Sequence, residues 1–341
     1  MTHRRRIARQ PRPAPQFRRA GPSDIDACGD LWQRALRDYL RRLNQPEFFT
    51  DLAPIRRLLT HLLTTDPERF WVATARPPTP GATSAGGPPD ASNGTADEDE
   101  RLLGFASANV RGSAWFLAML FIDPDDQGRG LGRALLERTL PAGARPGRPD
   151  DAGWTFATVT DSVQPISNAL YARLGIVPQV PMLHLAGIVR RRAAFPPLPD
   201  GISAVRFEAV DPTDAVAAID RRVLGYEHPA DHGFVRADGR VGILYRGRDG
   251  DAVGYGYTSR VGRVGPIAAV DPELLPAIAG DVLATVEPNG VFSTWVPGAA
   301  ASTVQALLEA GLRLEPFPAL HCWDRASVDD RRYVPITLAL L

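Results

Sequence analysis

The stretch Leu120-Phe121-Ile122-Asp123-Pro124-Asp125-Asp126-Gln127-Gly128-Arg129-Gly130-Leu131-Gly132 decides how this chain is read. Its first residues end an almost wholly apolar run, Trp115 to Ile122, which has the character of a central strand. Asp123-Pro124 opens a turn. A helix is expected from Gly132 to Leu140, so Gly128, Gly130 and Gly132 stand between a buried strand and a helix N-terminus. Glycine lets backbone approach a ligand without Cβ interference. The N–H groups of a helix's first turn, at the positive end of its dipole, suit a pyrophosphate. Arg129 and Arg133 add charge of the right sign.

Working outward, Leu102 to Val110 reads as a strand paired with Trp115 to Ile122. Towards the N-terminus, Cys28, Leu31, Trp32, Ala35, Leu36, Tyr39, Leu40 and Leu43 fall at the spacing of one helix face, with Ser23 and Asp26 as its capping box. A second helix is expected over Pro54 to Thr64 and a strand over Phe70 to Ala75. Residues 76–100 mix Pro, Gly, Ser, Thr and Asp and read as a disordered loop, and residues 1–16 as a disordered basic tail. Downstream come a strand, Trp154 to Thr160, a helix, Ile166 to Leu174, stopped by Gly175, and a closing strand, Met182 to Ile188. Residues 191–200, with their prolines, read as a linker.

Composition excludes several classes. Acidic and basic residues balance at 39 each, which gives no field of one sign to gather nucleic acid or an anionic membrane. Every basic residue is arginine, so Schiff-base lysines and the lysine-bearing phosphate loop are excluded. Cys28 and Cys322 stand far apart without a His-rich neighbourhood, so neither a disulfide framework nor a zinc site is drawn and no metal is expected. No apolar run is long enough to span a membrane, and a cytoplasmic location is expected.

The run from Leu120 to Gly132 resembles the acyl-CoA-binding signature of the GNAT superfamily of N-acyltransferases, Gln/Arg-x-x-Gly-x-Gly/Ala. Downstream, Asn168-Ala169-Leu170-Tyr171-Ala172-Arg173-Leu174-Gly175 resembles that family's Asn-x-x-Tyr-x-x-x-Gly helix. The resemblance implies a mixed, mostly antiparallel α+β sheet flanked by helices, acetyl-CoA as cosubstrate, and a small-molecule or peptide amine as acceptor. It assigns the cofactor to Leu120, Phe121, Ile122, Gln127, Gly128, Arg129, Gly130, Leu131, Gly132, Arg133, Asn168 and Tyr171. In that assignment the backbone of Leu120 and Ile122 pairs with the acyl and pantetheine amides, and residues 127 to 133 hold the pyrophosphate. Tyr171 is the catalytic residue, giving a proton or hydrogen bond to the leaving thiolate. A non-catalytic acyl-CoA sensor or scaffold is the alternative, and Tyr171 argues against it. A dinucleotide oxidoreductase is disfavoured, because Gly128-x-Gly130-x-Gly132 lacks the Gly-x-Gly-x-x-Gly spacing.

The resemblance covers residues 17–190 and recurs with losses over 201–341, which suggests two tandem GNAT-like domains, as in mycothiol synthase-like proteins. Val205 to Asp211 echoes Phe17 to Ser23, and Asp271-Pro272-Glu273 echoes Asp123-Pro124-Asp125. Pro318-Ala319-Leu320-His321 likewise echoes Pro181-Met182-Leu183-His184. Leu275, Pro276, Ala277 and Ile278 replace the Gln127 to Gly130 turn, and Leu307 stands at the tyrosine position. The second copy thus keeps the scaffold and lacks the chemistry. The expected assembly is a monomer acting as an intramolecular pseudo-dimer, or a homodimer. His61 and His184 read as structural or surface histidines rather than bases, Cys28 as core, and Trp32, Tyr39 and Phe70 as core residues first and acceptor-pocket borders second. Asp161 is an acceptor-side acid to be tested.

Overall fold

The computed structural model describes residues 14–46, 51–76, 100–147, 153–326 and 328–341. The expected basic tail lies outside these residues except for its end, where Gln16 already belongs to a strand, and the expected loop 76–100 lies outside them except for its two end residues. The chain divides into two compact units, residues 1–108 with 119–140, and residues 109–118 with 141–341.

The first unit is built from β1 (Gln16–Arg19), α1 (Ile25–Arg42), α2 (Ala53–Thr65), β2 (Phe70–Ala75), β3 (Arg101–Arg111), β4 (Ala114–Ile122) and α3 (Leu131–Thr139). β3 and β4 are long strands that also run through residues counted with the second unit. β1 pairs antiparallel with β2, and β2 with β3, which neighbours β4. Ala73, Ala75, Leu103 and Ala106 pack with Leu131 and Leu135 of α3 in one core. Phe70, Val72 and Phe105 are buried as well, so both faces of the sheet are covered. Ile55, Leu58, Leu59 and Leu62 give α2 the buried stripe its sequence predicts. The Ser23–Asp26 capping box does not form. A 3-10 turn, Pro22–Asp24, precedes α1 and moves the cap. There Asp24 Oδ2 accepts the Gly21 N–H at 2.8 Å and the carboxylate takes two hydrogen bonds from Arg18.

The second unit adds β5 (Thr155–Asp161), α4 (Pro165–Ala172), β6 (Val177–Gly187), β7 (Ser203–Arg206), α5 (Thr213–Val223), α6 (Pro229–Ala237), β8 (Val241–Arg246), β9 (Ala252–Thr258) and β10 (Val264–Ala269). It closes with α7 (Leu275–Ala284), β11 (Phe292–Pro297), α8 (Ala301–Ala310), β12 (Arg313–Leu314), β13 (Ala319–Trp323) and β14 (Tyr333–Val334). One sheet runs β7-β8-β9-β10-β14. In the other, β13 lies between β5 and β6, antiparallel to both, and β11 lines the far side of β6. The path β5-β13-β6-β11 reads the same from either end once the halves are exchanged, because each half's closing strand, β6 or β13, pairs with the other closing strand and with the other half's β11 or β5. Ala319 faces Met182 and Leu320 faces Pro181, so the two copies of the echoed Pro-x-Leu-His strand pair with each other.

The second half repeats the first half's element order, strand, two helices, three strands, helix, strand, helix, closing strand, with the short β12 inserted before its closing strand and β14 added after it. The compact units nevertheless do not follow the 190/201 division read from the sequence, since β11 and β13 are built into the sheet of β5 and β6. Residues 191–200 are tied down rather than slack. The N–H groups of Arg190 and Arg191 donate to Ala310 O at 2.8 and 3.1 Å, and Phe195 is buried against Gly280. β6 begins five residues earlier than expected, at Val177, because β13 supplies a partner for its first part. Among the described residues no helix is long and apolar enough to cross a membrane.

Candidate functional site

The Gly-rich turn lies in the first unit, between β4 and α3. A 3-10 turn, Pro124–Asp126, follows the strand, and Asp123 Oδ1 accepts the Asp125 N–H at 3.1 Å. Gly128 and Gly130 then take φ of +76° and +79°, a region that side chains enter only with strain. A Cβ at either position would meet nothing within 4 Å, so the requirement for glycine is conformational and the space over both is open. At the start of α3, Ala134 N–H donates to Gly130 O at 3.0 Å. The N–H groups of Leu131, Gly132 and Arg133 precede that bond and belong to the unpaired first turn. Backbone N–H groups at such a helix start are able to hold an anion.

The arginine side chains add less than the sequence implies. Arg129 and Arg101 both pair with the fully buried carboxylate of Asp126, and Arg133 pairs with Glu137 at 2.7 Å. A cleft of about 280 Å³ in the same unit is lined by Arg34, Arg37, Arg41, Arg101, Asp38 and Asp123, among others, and Arg34 pairs with Asp123 at 3.2 Å.

Within β4 the backbone changes the side to which it points. At the start, Ala114–Leu117 pair in parallel with Thr155–Thr158, and Thr155 N–H donates to Ser113 O at 3.0 Å, so odd-numbered residues face β5. At the end, Asp123 N–H donates to Leu103 O at 2.8 Å, so odd-numbered residues face β3. The alternation slips by one between Leu117 and Asp123, as at a β-bulge. Ile122, next to Asp123, therefore turns its backbone groups away from β3, beyond the register with β5. The Ile122 carbonyl accepts from Gln127 Nε2 at 3.4 Å. Phe121 stacks its ring on Phe105, with centroids 5.6 Å apart.

Asn168 and Tyr171 stand on α4, in the second unit. Asn168 Nδ2 donates to Asp161 O at 3.0 Å and Gln164 O at 2.8 Å, which fixes which end of the amide is nitrogen. Its Oδ1 is buried without a partner among the described residues, an acceptor that a ligand N–H would satisfy. Tyr171 is buried, and burial pushes its hydroxyl well above the ordinary phenol range, with the Cys322 thiol of β13 reinforcing the shift and Ser167 opposing it. The hydroxyl holds its proton. Asp161 shapes the turn into α4, its carboxylate accepting the Val163 N–H at 3.1 Å.

His184 is held in place by its neighbours. His184 Nε2 lies 2.8 Å from Ser293 Oγ, its ring stacks on Trp295 at 4.5 Å, and burial lowers its pKa. Cys28 and Phe70 are fully buried, as core residues are. The sequence reading missed a buried group formed by Asp220, His228 and His232. The signal was available: His228 and His232 lie one helical turn apart.

In the second half, the place of the Gly-rich turn is closed. Asp271 Oδ1 accepts the Glu273 N–H at 3.0 Å, repeating Asp123, but the 3-10 turn Pro272–Leu274 runs straight into α7. Leu275, Pro276, Ala277 and Ile278 are all buried there. The end of β10, counterpart of the end of β4, is paired with β14 through Ile267–Val334 and Ala268–Tyr333.

Residues 90–176 match the family model described as an acetyltransferase (GNAT) domain. The chain carries a GNAT acetyltransferase domain, and its activity class is acyl transfer. The GNAT match takes in the Gly-rich turn and α4 together, and no curated protein sequence matches the chain. In fold, the whole chain is similar to a putative acetyltransferase from Pyrococcus horikoshii, at 14% identity and a TM-score of 0.66, with 99% of each chain covered. A GCN5-related N-acetyltransferase from Sphaerobacter thermophilus is similar at 14% identity and a TM-score of 0.55, covering 92% of this chain and 97% of that one. A tandem GNAT protein from the clavulanic acid biosynthesis pathway is similar at 16% identity and 0.51, covering 91% and 98%. The tandem GNAT architecture expected from the internal echoes is thus the fold of this chain.

Proposed function

We propose that this GNAT protein transfers an acetyl group from acetyl-CoA to an amine of a small-molecule or peptide acceptor, using one cofactor site per chain. The observation that carries the reading is the backbone cradle: left-handed Gly128 and Gly130 under open space, followed by the first-turn N–H groups of α3. In this reading the cradle, residues 127 to 133, binds the pyrophosphate. Backbone groups of Leu120 and Ile122 bond the acyl and pantetheine amides, with Phe121 between them fixing the strand. The unfilled Asn168 Oδ1 accepts a pantetheine N–H.

Chemistry follows by direct attack. The acceptor nitrogen, as the free amine, bonds to the thioester carbonyl carbon, the C–S bond breaks, the departing thiolate takes a proton from Tyr171, and the proton released by the new amide nitrogen passes through solvent to restore the phenol. Burial suits Tyr171 to this, since it keeps the phenol protonated. The second half serves as support: Cys322 of β13 lies beside Tyr171, and the 201–341 copy holds no cofactor of its own. The exchanged strand path supports an intramolecular pseudo-dimer, and a cytoplasmic location is part of the proposal. The test is an acceptor-library screen following free-thiol release from acetyl-CoA, with titration calorimetry in parallel. Tight acetyl-CoA binding with thiol release for no amine would favour a sensor role, and absence of binding would remove the proposal.

A further inference from the structure

Two helices and two strands of the second half bury a group of side chains with no part in acyl transfer. Asp220 lies on α5, His228 caps the start of α6, and His232 follows on the same helix face. Their relative exposures are 1%, 0% and 4%. His228 Nε2 lies 3.2 Å, and His232 Nε2 3.0 Å, from the same oxygen, Asp220 Oδ2. One ligand atom from each residue falls within 4.8 Å of the others.

His228 carries the argument. Burial works against a charge on His228 while the carboxylates of Asp220, 3.2 Å from Nε2, and Asp231, 3.6 Å from Nδ1, favour one, yet neither ring nitrogen is aligned for a hydrogen bond with a described residue. A protonated imidazole at that distance satisfies itself by aiming its N–H at the oxygen. Nitrogen and oxygen lone pairs that converge on a shared cation approach to about 3.3 Å without aiming at each other, the separation set by tetrahedral bonds of about 2.0–2.2 Å. The Tyr333 hydroxyl on β14 is also buried without a partner among the described residues, with its ring 6.4 Å from that of His228.

The surrounding groups orient these three. His232 Nδ1 lies 2.9 Å from Tyr257 Oη, and Tyr255 Oη donates to the other oxygen of Asp220 at 2.6 Å. Asp231 Oδ2 lies 3.6 Å from His228 Nδ1 and is itself held by Arg111 through bonds of 3.0 and 3.1 Å. Partners on the outward nitrogens of metal-bound histidines are what fixes their tautomer and direction.

We propose that Asp220, His228 and His232 bind a divalent transition-metal ion, zinc by its two-imidazole, one-carboxylate donor set, as a structural centre of the second half. Tyr333, or a water it holds, completes the coordination. The ion ties α5 and α6 to β9 and β14 in the half that has lost its cofactor cradle. Full burial marks the site as structural rather than catalytic.

The experiment uses the full chain without a histidine tag, equilibrated with zinc chloride, desalted, and measured by elemental analysis. Retention of about one zinc per chain is expected, with at least a tenfold loss in His232→Gln and in Asp220→Asn and none in His184→Gln. Cobalt chloride in place of zinc should give the visible absorption of a four-coordinate ion. Stripping with a chelator should lower the thermal midpoint by about 5–10 °C, reversibly on zinc addition. The wild-type zinc content and cobalt spectrum decide the matter even where a variant fails to fold. Less than about a tenth of a zinc per equilibrated chain, with a midpoint indifferent to zinc and chelator, would show that a proton bridges the group and overturn the proposal. Equal zinc in wild type and His232→Gln would overturn it too.

Discussion

At Asp123 and again at Asp271 the chain makes the same turn: an aspartate accepts the N–H two residues on, a proline follows, and one 3-10 turn forms. Beyond that point the halves part. After Asp126 the first inserts Gln127 to Gly130, which holds the helix off and leaves its opening N–H groups unspent; after Leu274 the second goes directly into a helix whose first turn is buried. The strand before the turn differs in the same sense, because β10 is paired at its end by β14 while the backbone of Ile122 points away from β3. In the proposed reading, ligand capacity resides in what the chain leaves unpaired. The second half has satisfied those groups from within itself.

The comparison can be broken most directly at Gly130. Gly130→Glu forces a side chain into φ of +79° and puts negative charge against the proposed pyrophosphate position, so acetyl-CoA binding should fall by at least about a hundredfold. Calorimetry on a variant with unchanged circular dichroism checks it, and unaltered affinity would remove the cradle from its role. Tyr171→Phe should slow single turnover roughly ten- to a thousandfold with affinity nearly unchanged. Burial raises the phenol's pKa, so it stays protonated through the pH range in which an ordinary tyrosine ionises, and Tyr171 should cause no fall in rate below about pH 10. A wild-type single-turnover rate in the phenylalanine variant would exclude it from the reaction.

Asn168→Ala should weaken acetyl-CoA by about three- to tenfold, the worth of one hydrogen bond, if Oδ1 meets the pantetheine arm. The smallest effect sharpens the contrast. Pro276→Ala, at the counterpart of the cradle, should leave both affinity and the stoichiometry of one acetyl-CoA per chain unchanged, because β14 still covers the neighbouring strand end. Calorimetry showing a second site would mean the second half is not closed.

Much of this was legible in the sequence where the signal is local. The apolar run ending at Ile122, the glycines at 128 and 130 and the stripes of α1 and α2 each depend on neighbours a few residues away, and they give the observed elements to within a residue or two. What could not be read depends on distant partners. The early start of β6 depends on β13, and the burial of Phe195 depends on Gly280, contacts made across more than a hundred and about eighty residues respectively. Arg129 was read as a phosphate ligand because its charge is visible in the sequence, whereas its capture by Asp126 depends on a fully buried carboxylate. Asp220, His228 and His232 escaped because two histidines without cysteines were not weighed as ligands, although one helical turn separates them.

The place of β13 also governs the order in which the molecule can be completed. A ribosome that has delivered the whole of β6 has made both neighbours of β13, yet the strand between them is still more than a hundred residues from synthesis. Until then β5 and β6 present unsatisfied edges, and the helix bearing Tyr171 lacks the Cys322 side of its surroundings. The sheet of β5 and β6 cannot be completed before β13 is made. A message cut short after residue 200 would yield the Gly-rich turn and α4 on a sheet with its edges open, a product expected to aggregate or be degraded.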